Sequence, residues 1–97
     1  MLTGKQKRFL RSQAHHLNPI FQVGKGGVNE NMVKQIIDAL EARELIKVSV
    51  LQNCEEDKSE VAEQLVKGTN AELVQLIGNT IILYKESSQN KQIVLPK

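Results

Sequence analysis

Between Ile20 and Val50 the chain reads as a short β-prone run, IFQV, a glycine-rich turn, GKGG, an amphipathic stretch, and a β-branched run, LIKVSV. That succession leaves few folds open. Asn29, directly after the glycines, is a good N-cap for a helix. Val33, Ile36, Ile37 and Leu40 then recur on one side of that helix, with Lys34, Asp38 and Glu41 on the other, so it packs one face and shows the other to water. In Leu45 to Leu51, Lys47 and Ser49 alternate with Ile46, Val48 and Val50, the pattern of a half-buried strand. Strand, helix and strand in this order predict a βαβ unit, with parallel strands and a right-handed crossover.

The flanking segments extend the same α/β scheme. Thr3-Gly4-Lys5-Gln6 fits a capping box, and Leu10, Ala14 and Leu17 mark one buried helical face that Asn18-Pro19 brings to an end. A first helix is expected over residues 4–16. Glu55-Glu56-Asp57 places negative charge at the start of a third helix over residues 57–67, with Val61, Leu65 and Val66 as its stripe and Gly68 as its C-cap. Leu73 to Ile77 and Thr80 to Lys85 flank Gly78-Asn79, the signal of a closing hairpin. Residues 86–97 form a polar, extended tail that is either loose or adds a late strand. Ninety-seven residues suffice for one core, so one domain over residues 1–97 is expected.

Charge is distributed unevenly. Residues 1–34 hold Lys5, Lys7, Arg8, Arg11, Lys25 and Lys34 against Glu30 alone, a balance of +5, whereas residues 48–97 carry five lysines against seven acids, a balance of −2. An anion-facing surface in the first third fits a protein that touches nucleic acid on one side. No apolar run approaches the ~18 residues of a membrane span. The segment MLTGKQKRFL lacks the apolar region of a secretory signal and the chain has one cysteine, so a cytoplasmic protein with no membrane partner is expected.

Half of the six glycines fall at Gly24, Gly26 and Gly27. Gly24 and Gly27 frame a G-x-x-G whose backbone amides can approach a phosphate closely beside a helix N-terminus, and Lys25 adds a full charge at the tip. The plainer reading is a turn whose glycines only supply positive φ. A Walker A loop is excluded by spacing, since Gly24-Lys25 is followed by Gly26 and no earlier glycine lies nearer than Gly4. The dinucleotide fingerprint fails because Asn29 stands where its third glycine belongs. On the first helix, Arg8, Arg11 and His15 fall within about 60° of one another with Lys5 beside them, a basic ridge next to the apolar stripe. A solvated helix face accounts for such a ridge equally well, although the absence of acids through Asn29 argues against simple mixing for solubility.

Enzyme chemistry finds little support. Cys54 precedes Glu55, Glu56 and Asp57, and negative charge beside a thiol works against the thiolate a nucleophile needs. His15 and His16 are adjacent and point about 100° apart on a helix, so they do not form an i, i+4 metal pair. No catalytic residue, metal site, cofactor or small-molecule substrate is expected. With only Phe9, Phe21 and Tyr84 as aromatics, RNA recognition by stacking is disfavoured as well.

The run LNPIFQVGKGGVNENMVKQIIDALEARELIKVSV, together with LIGNTIILYK, resembles the CRM domain of chloroplast RNA splicing and ribosome maturation, in its stand-alone bacterial YhbY form. The resemblance covers Leu2 to about Lys85 and lies in a combination. It joins the Gly24-Lys25-x-Gly27 loop, the Arg43-Glu44-Leu45-Ile46-Lys47-Val48 junction, and Ile77-Gly78 leading to Leu83-Tyr84-Lys85. It implies a compact α-β-α-β-α-β-β domain with a four-stranded mixed sheet, similar to the C-terminal domain of bacterial translation initiation factor three, with a KH-like GxxG loop. It further implies a non-enzymatic, monomeric protein that binds structured ribosomal RNA in precursors of the large (50S) subunit and acts in ribosome assembly. Carried over by position, the RNA-binding residues are Gly24, Lys25, Gly26 and Gly27, with Lys5, Lys7, Arg8 and Arg11 beside them. Lys85 stands where family members often carry arginine. Unlike a KH domain, this chain joins a strand to a helix through the loop. Two other functions remain compatible with the residues: a phosphate- or nucleotide-binding enzyme using the same glycines, and a protein adaptor in ribosome assembly.

Overall fold

The computed structural model describes residues 1–97, with the elements in the order α1 (Gly4–Ala14), β1 (Phe21–Val23), α2 (Glu30–Arg43), β2 (Leu45–Val50), α3 (Lys58–Thr69), β3 (Glu72–Ile77) and β4 (Thr80–Tyr84). The strands form one mixed sheet in the order β1-β2-β4-β3. β1 pairs parallel to β2, as a βαβ unit requires, and the other two pairings are antiparallel. Gly78 takes a positive φ of 56° in the turn between β3 and β4.

Both faces of the sheet are covered. On one face, Ile36 and Leu40 of α2 and Val61 and Leu65 of α3 pack with Ile46, Val48, Ile81 and Leu83. On the other, Leu10 and Ala14 of α1 pack with Leu45, Val74, Ile82 and Tyr84. Successive strand side chains point to opposite faces, so β4, sandwiched between two layers, must be apolar at every inward and outward position. Its run Ile81, Ile82, Leu83, Tyr84 is buried throughout.

Local signals set most helix ends. The Thr3 hydroxyl accepts from the Gln6 amide at 3.1 Å and the Gln6 side chain accepts from the Thr3 amide at 3.0 Å, a complete capping box. The Asn29 carboxamide oxygen accepts from the Met32 amide at 2.8 Å. α1 stops at Ala14 rather than residue 16, because His15 and Leu17 donate to Ser12 and Ala14 and tighten the last turn. The end of α3 departs further from expectation. The helix runs on to Thr69, and its C-cap is Asn70, left-handed at φ 59° and ψ 30°, a conformation asparagine tolerates. Gly68 lies within the helix, where a Cβ would stand 3.1 and 3.2 Å from the two Val33 methyls. Its missing side chain lets α2 and α3 approach, which offsets the roughly 1 kcal/mol a helical glycine costs.

The segment after β4 forms no strand. It is held instead by Glu41 of α2, which the amphipathic pattern would leave in water, and by Glu44 at the end of that helix. The Glu41 carboxylate accepts from the Ser87 and Ser88 hydroxyls and from the Ser88 and Gln89 amides at 2.8–3.1 Å. Glu44, the C-cap of α2 at φ 66°, is fully buried and accepts from the amides of Ser87, Gln92 and Ile93 at 2.6–2.8 Å. Further on, the Gln6 side chain donates to the Pro96 carbonyl at 3.0 Å, tying the tail to α1. Burial pushes the Glu44 carboxyl up, but the three amides and the charge on Lys91 together outweigh it, leaving its pKa below the usual carboxylate range. The Ser88 amide and Ser87 hydroxyl, helped by the other serine and glutamine contacts, bring Glu41 down to about 2.

Candidate nucleic-acid interface

The glycine loop is a four-residue turn. Gly27 donates to the Gly24 carbonyl at 3.0 Å, and this is the one backbone hydrogen bond within the loop. Its three glycines are not equivalent. Gly27 takes a φ of 67° and is buried, and a Cβ there would collide with the Glu56 carboxylate. Gly24 meets only ordinary contacts, with Asn53 and Leu51 at 3.4 and 3.6 Å from an added Cβ. Gly26 has nothing within 4 Å of such an atom and no positive φ. Lys25 and Gly26 are exposed, with their amides unpaired at the tip.

Turn geometry therefore demands glycine at position 27 and not at position 26. The sequence alone offers no sign of Glu56 beneath the turn, because the contact joins two loops almost thirty positions apart. Glu56 in turn accepts from the Gln64 side chain of α3. The loop thus has a cationic outer tip at Lys25 and an acidic underside, which favours an anion at the tip.

Lys5, Lys7, Arg8 and Arg11 are all exposed on α1, whose inward face holds Leu10 and Ala14. The chain's ion pairs are Met1 with Glu72, Lys67 with Glu63, and Lys91 with Glu86, so neither this group nor Lys25 has an acidic partner. α1 lies on the sheet face opposite α2 and α3, whereas the loop sits at the C-terminal end of β1. The two basic regions are separate patches on one domain of 38 × 26 × 23 Å. Lys85 lies away from the glycine turn, sharing a cleft with Met1, Leu2 and Gln6 at the start of α1. The β2–β4 register places Thr80 opposite Ser49, near the loop end of the sheet, and Tyr84 opposite Leu45 at the far end. There the Lys85 ammonium donates to the Thr69 carbonyl at 3.2 Å and its amide to the Glu44 carbonyl at 2.9 Å, so it caps the C-terminus of α3. Cys54 is half-buried against the α2–α3 core, its thiol directed at the Glu56 carbonyl.

A four-stranded mixed sheet covered on both faces, with an exposed glycine turn between edge strand and helix and an unpaired basic helix, defines a class of small α/β modules. The chain belongs to the CRS1 / YhbY (CRM) domain family, whose pattern matches residues 2–85. It is 81% identical to "probable RNA-binding protein YqeI" of Bacillus subtilis over 96 residues, covering 99% of this chain and 100% of that one. A Haemophilus influenzae chain named "RNA-binding protein" is 42% identical over 96 residues, with 99% of this chain and 96% of that one covered. The solution structure of the hypothetical protein SAV1595 from Staphylococcus aureus superposes with a TM-score of 0.82 at 66% identity, covering 99% of this chain and 100% of that one.

Proposed function

We propose that this protein is a non-enzymatic RNA-binding domain that docks on structured ribosomal RNA in precursors of the large subunit and acts in the cytoplasm, as a monomer, during ribosome assembly. Family membership and the names of its relatives support RNA as the partner. The ribosomal target rests on the resemblance to the stand-alone bacterial members. The single observation that carries the site is Gly26, a glycine that neither backbone conformation nor neighbouring atoms require, at the tip of a turn with free amides. There the Lys25 ammonium and the amides of Lys25 and Gly26 hold a phosphate, Gly24 and Gly27 shape the turn, and Lys5, Lys7, Arg8 and Arg11 add electrostatic affinity along a second stretch of backbone. Lys85 is assigned to the fold instead, since its ammonium is held at the far end of the sheet.

Binding of ribosomal RNA fragments across a salt series tests this reading. Lys25→Glu and Gly26→Asp are expected to weaken binding while leaving the thermal melt in place. Lys25→Gln should flatten the dependence of log K on log salt by about 0.7–1, one phosphate contact's worth. Wild-type affinity and an unchanged slope in these variants would exclude the loop as the site.

A further inference from the structure

Beside the glycine turn lies a cleft of about 510 Å³ between the outer edge of β1 and the start of α2. Its wall is formed by the residues on either side of the turn, Gln22 before it and Asn29 after it, joined by Asn31 and Gln35 of α2. The carboxamides of Asn29, Asn31 and Gln35 line it, while Gln22, between the inward-facing Phe21 and Val23, turns its side chain to the other face of the sheet, and no charged residue lines it. Those of Asn31 and Gln35 are exposed, and Asn29 uses its oxygen to cap α2 and keeps its amino group free. Ile20, 40% exposed, supplies apolar wall together with Phe21 and Met32. β1 is the first strand of the sheet, so no other strand covers this side.

Uncharged groups that both donate and accept, set against an apolar wall, suit a planar, neutral ligand with mixed donor and acceptor edges. The volume falls in the ~300–1,000 Å³ range of small-ligand clefts. A phosphate would be poorly served there, lacking any cation, whereas the adjoining tip at Lys25 offers one. We infer that the cleft receives an unpaired nucleobase of the RNA strand whose phosphate lies on the glycine turn, and that Asn31 and Gln35 read its edge. This rests on the proposal that the turn binds RNA phosphate, and adds that the site distinguishes bases. Carboxamides hydrogen-bond base edges in pairs, and unstacked bases in single-stranded segments expose those edges. A structured RNA would thus be engaged where a loop or bulge presents a base beside its backbone.

The test uses the full chain, isotopically labelled for amide spectra, with a short single-stranded oligoribonucleotide of mixed sequence and an abasic oligomer of equal length. Both oligomers are expected to shift the Lys25 and Gly26 backbone amides, and only the base-bearing one the side-chain amides of Asn31 and Gln35. The double variant Asn31→Ala, Gln35→Leu, at exposed helix positions, should weaken the base-bearing oligomer by about fivefold or more while leaving the abasic one and the salt slope unchanged. If both oligomers move the turn amides and neither moves the cleft amides, the base-reading role is wrong and the phosphate site stands. If neither moves the turn amides, the RNA reading falls and the cleft assignment with it. Perturbation of the cleft amides by an extended peptide, with none by RNA, would make β1 a strand-addition edge and overturn the inference.

Discussion

Replacing Gly26 and Gly27 by alanine, one at a time, separates a glycine kept for folding from one kept for a ligand. At Gly27, alanine must adopt a left-handed φ of 67°, which costs about 1–2 kcal/mol. Its Cβ also displaces the Glu56 carboxylate and disturbs the bond that Gln64 donates to it, worth about 0.5–1.5 kcal/mol. The sum is about 1.5–3.5 kcal/mol, and at roughly 4–8 °C per kcal/mol for a chain of this size the melting temperature should fall by about 6–28 °C. At Gly26 the new methyl meets open space and no positive φ, and reduced freedom of the unfolded chain stabilises by about 0.4–1 kcal/mol. The melting temperature should hold or rise slightly. RNA affinity should run the other way, because the Gly26 methyl stands where a phosphate approaches the tip, whereas the Gly27 amide is already bonded to Gly24. Circular-dichroism melts and fluorescence-anisotropy titrations at two salt concentrations measure both effects. Equal destabilisation by the two variants would refute the account of the turn. A stable Gly26→Ala protein that binds RNA as wild type does would refute the reason given for that glycine.

Glu44→Gln should destabilise by about 2–3 kcal/mol, because the neutral amide turns one donor toward another and weakens hydrogen bonds worth roughly 1.5–3 kcal/mol to a charged acceptor. Hydrogen exchange at Ser87, Gln92 and Ile93 should accelerate well ahead of exchange in β4. Since Glu41 and Glu44 both have lowered pKa values, their contribution is complete above pH 4.5 and is lost as pH falls from there towards 2, so acid melts of the wild type should show a loss in that window that Glu44→Gln reduces. Lys85→Met should cost about 1 kcal/mol through the lost cap on Thr69, with RNA affinity and salt slope unchanged in the binding titration.

The parts of this structure legible from sequence are those governed by neighbours along the chain. Thr3 finds Gln6, Asn29 finds Met32, Gly78 turns the hairpin, and the 3.6- and 2-residue periods of α2 and β2 locate their buried sides. The misreadings involve partners distant in sequence. A glycine near a helix end reads as a cap, and only the methyls of Val33 reveal that Gly68 is there for close packing while Asn70 does the capping. Glu41 reads as solvated because its partners lie 46–48 positions away, and Glu44 gives no sign of a buried carboxylate for the same reason. At the candidate site the chain order shows the turn and the basic helix, but not the acid beneath Gly27 or the cleft of carboxamides beside it. These come from segments that only the tertiary fold brings together.

The bond from Gln6 to the Pro96 carbonyl spans 90 positions, and it bears on how the chain is made. α1 is synthesised before β3 and β4, yet Leu10 and Ala14 have their seat on Val74, Ile82 and Tyr84. An isolated helix of 11 residues is marginal in water. This segment therefore waits, without stable structure, until β3 and β4 have been made. The basic helix takes shape only once β4 has been made, so a nascent chain interrupted before β4 would lack it.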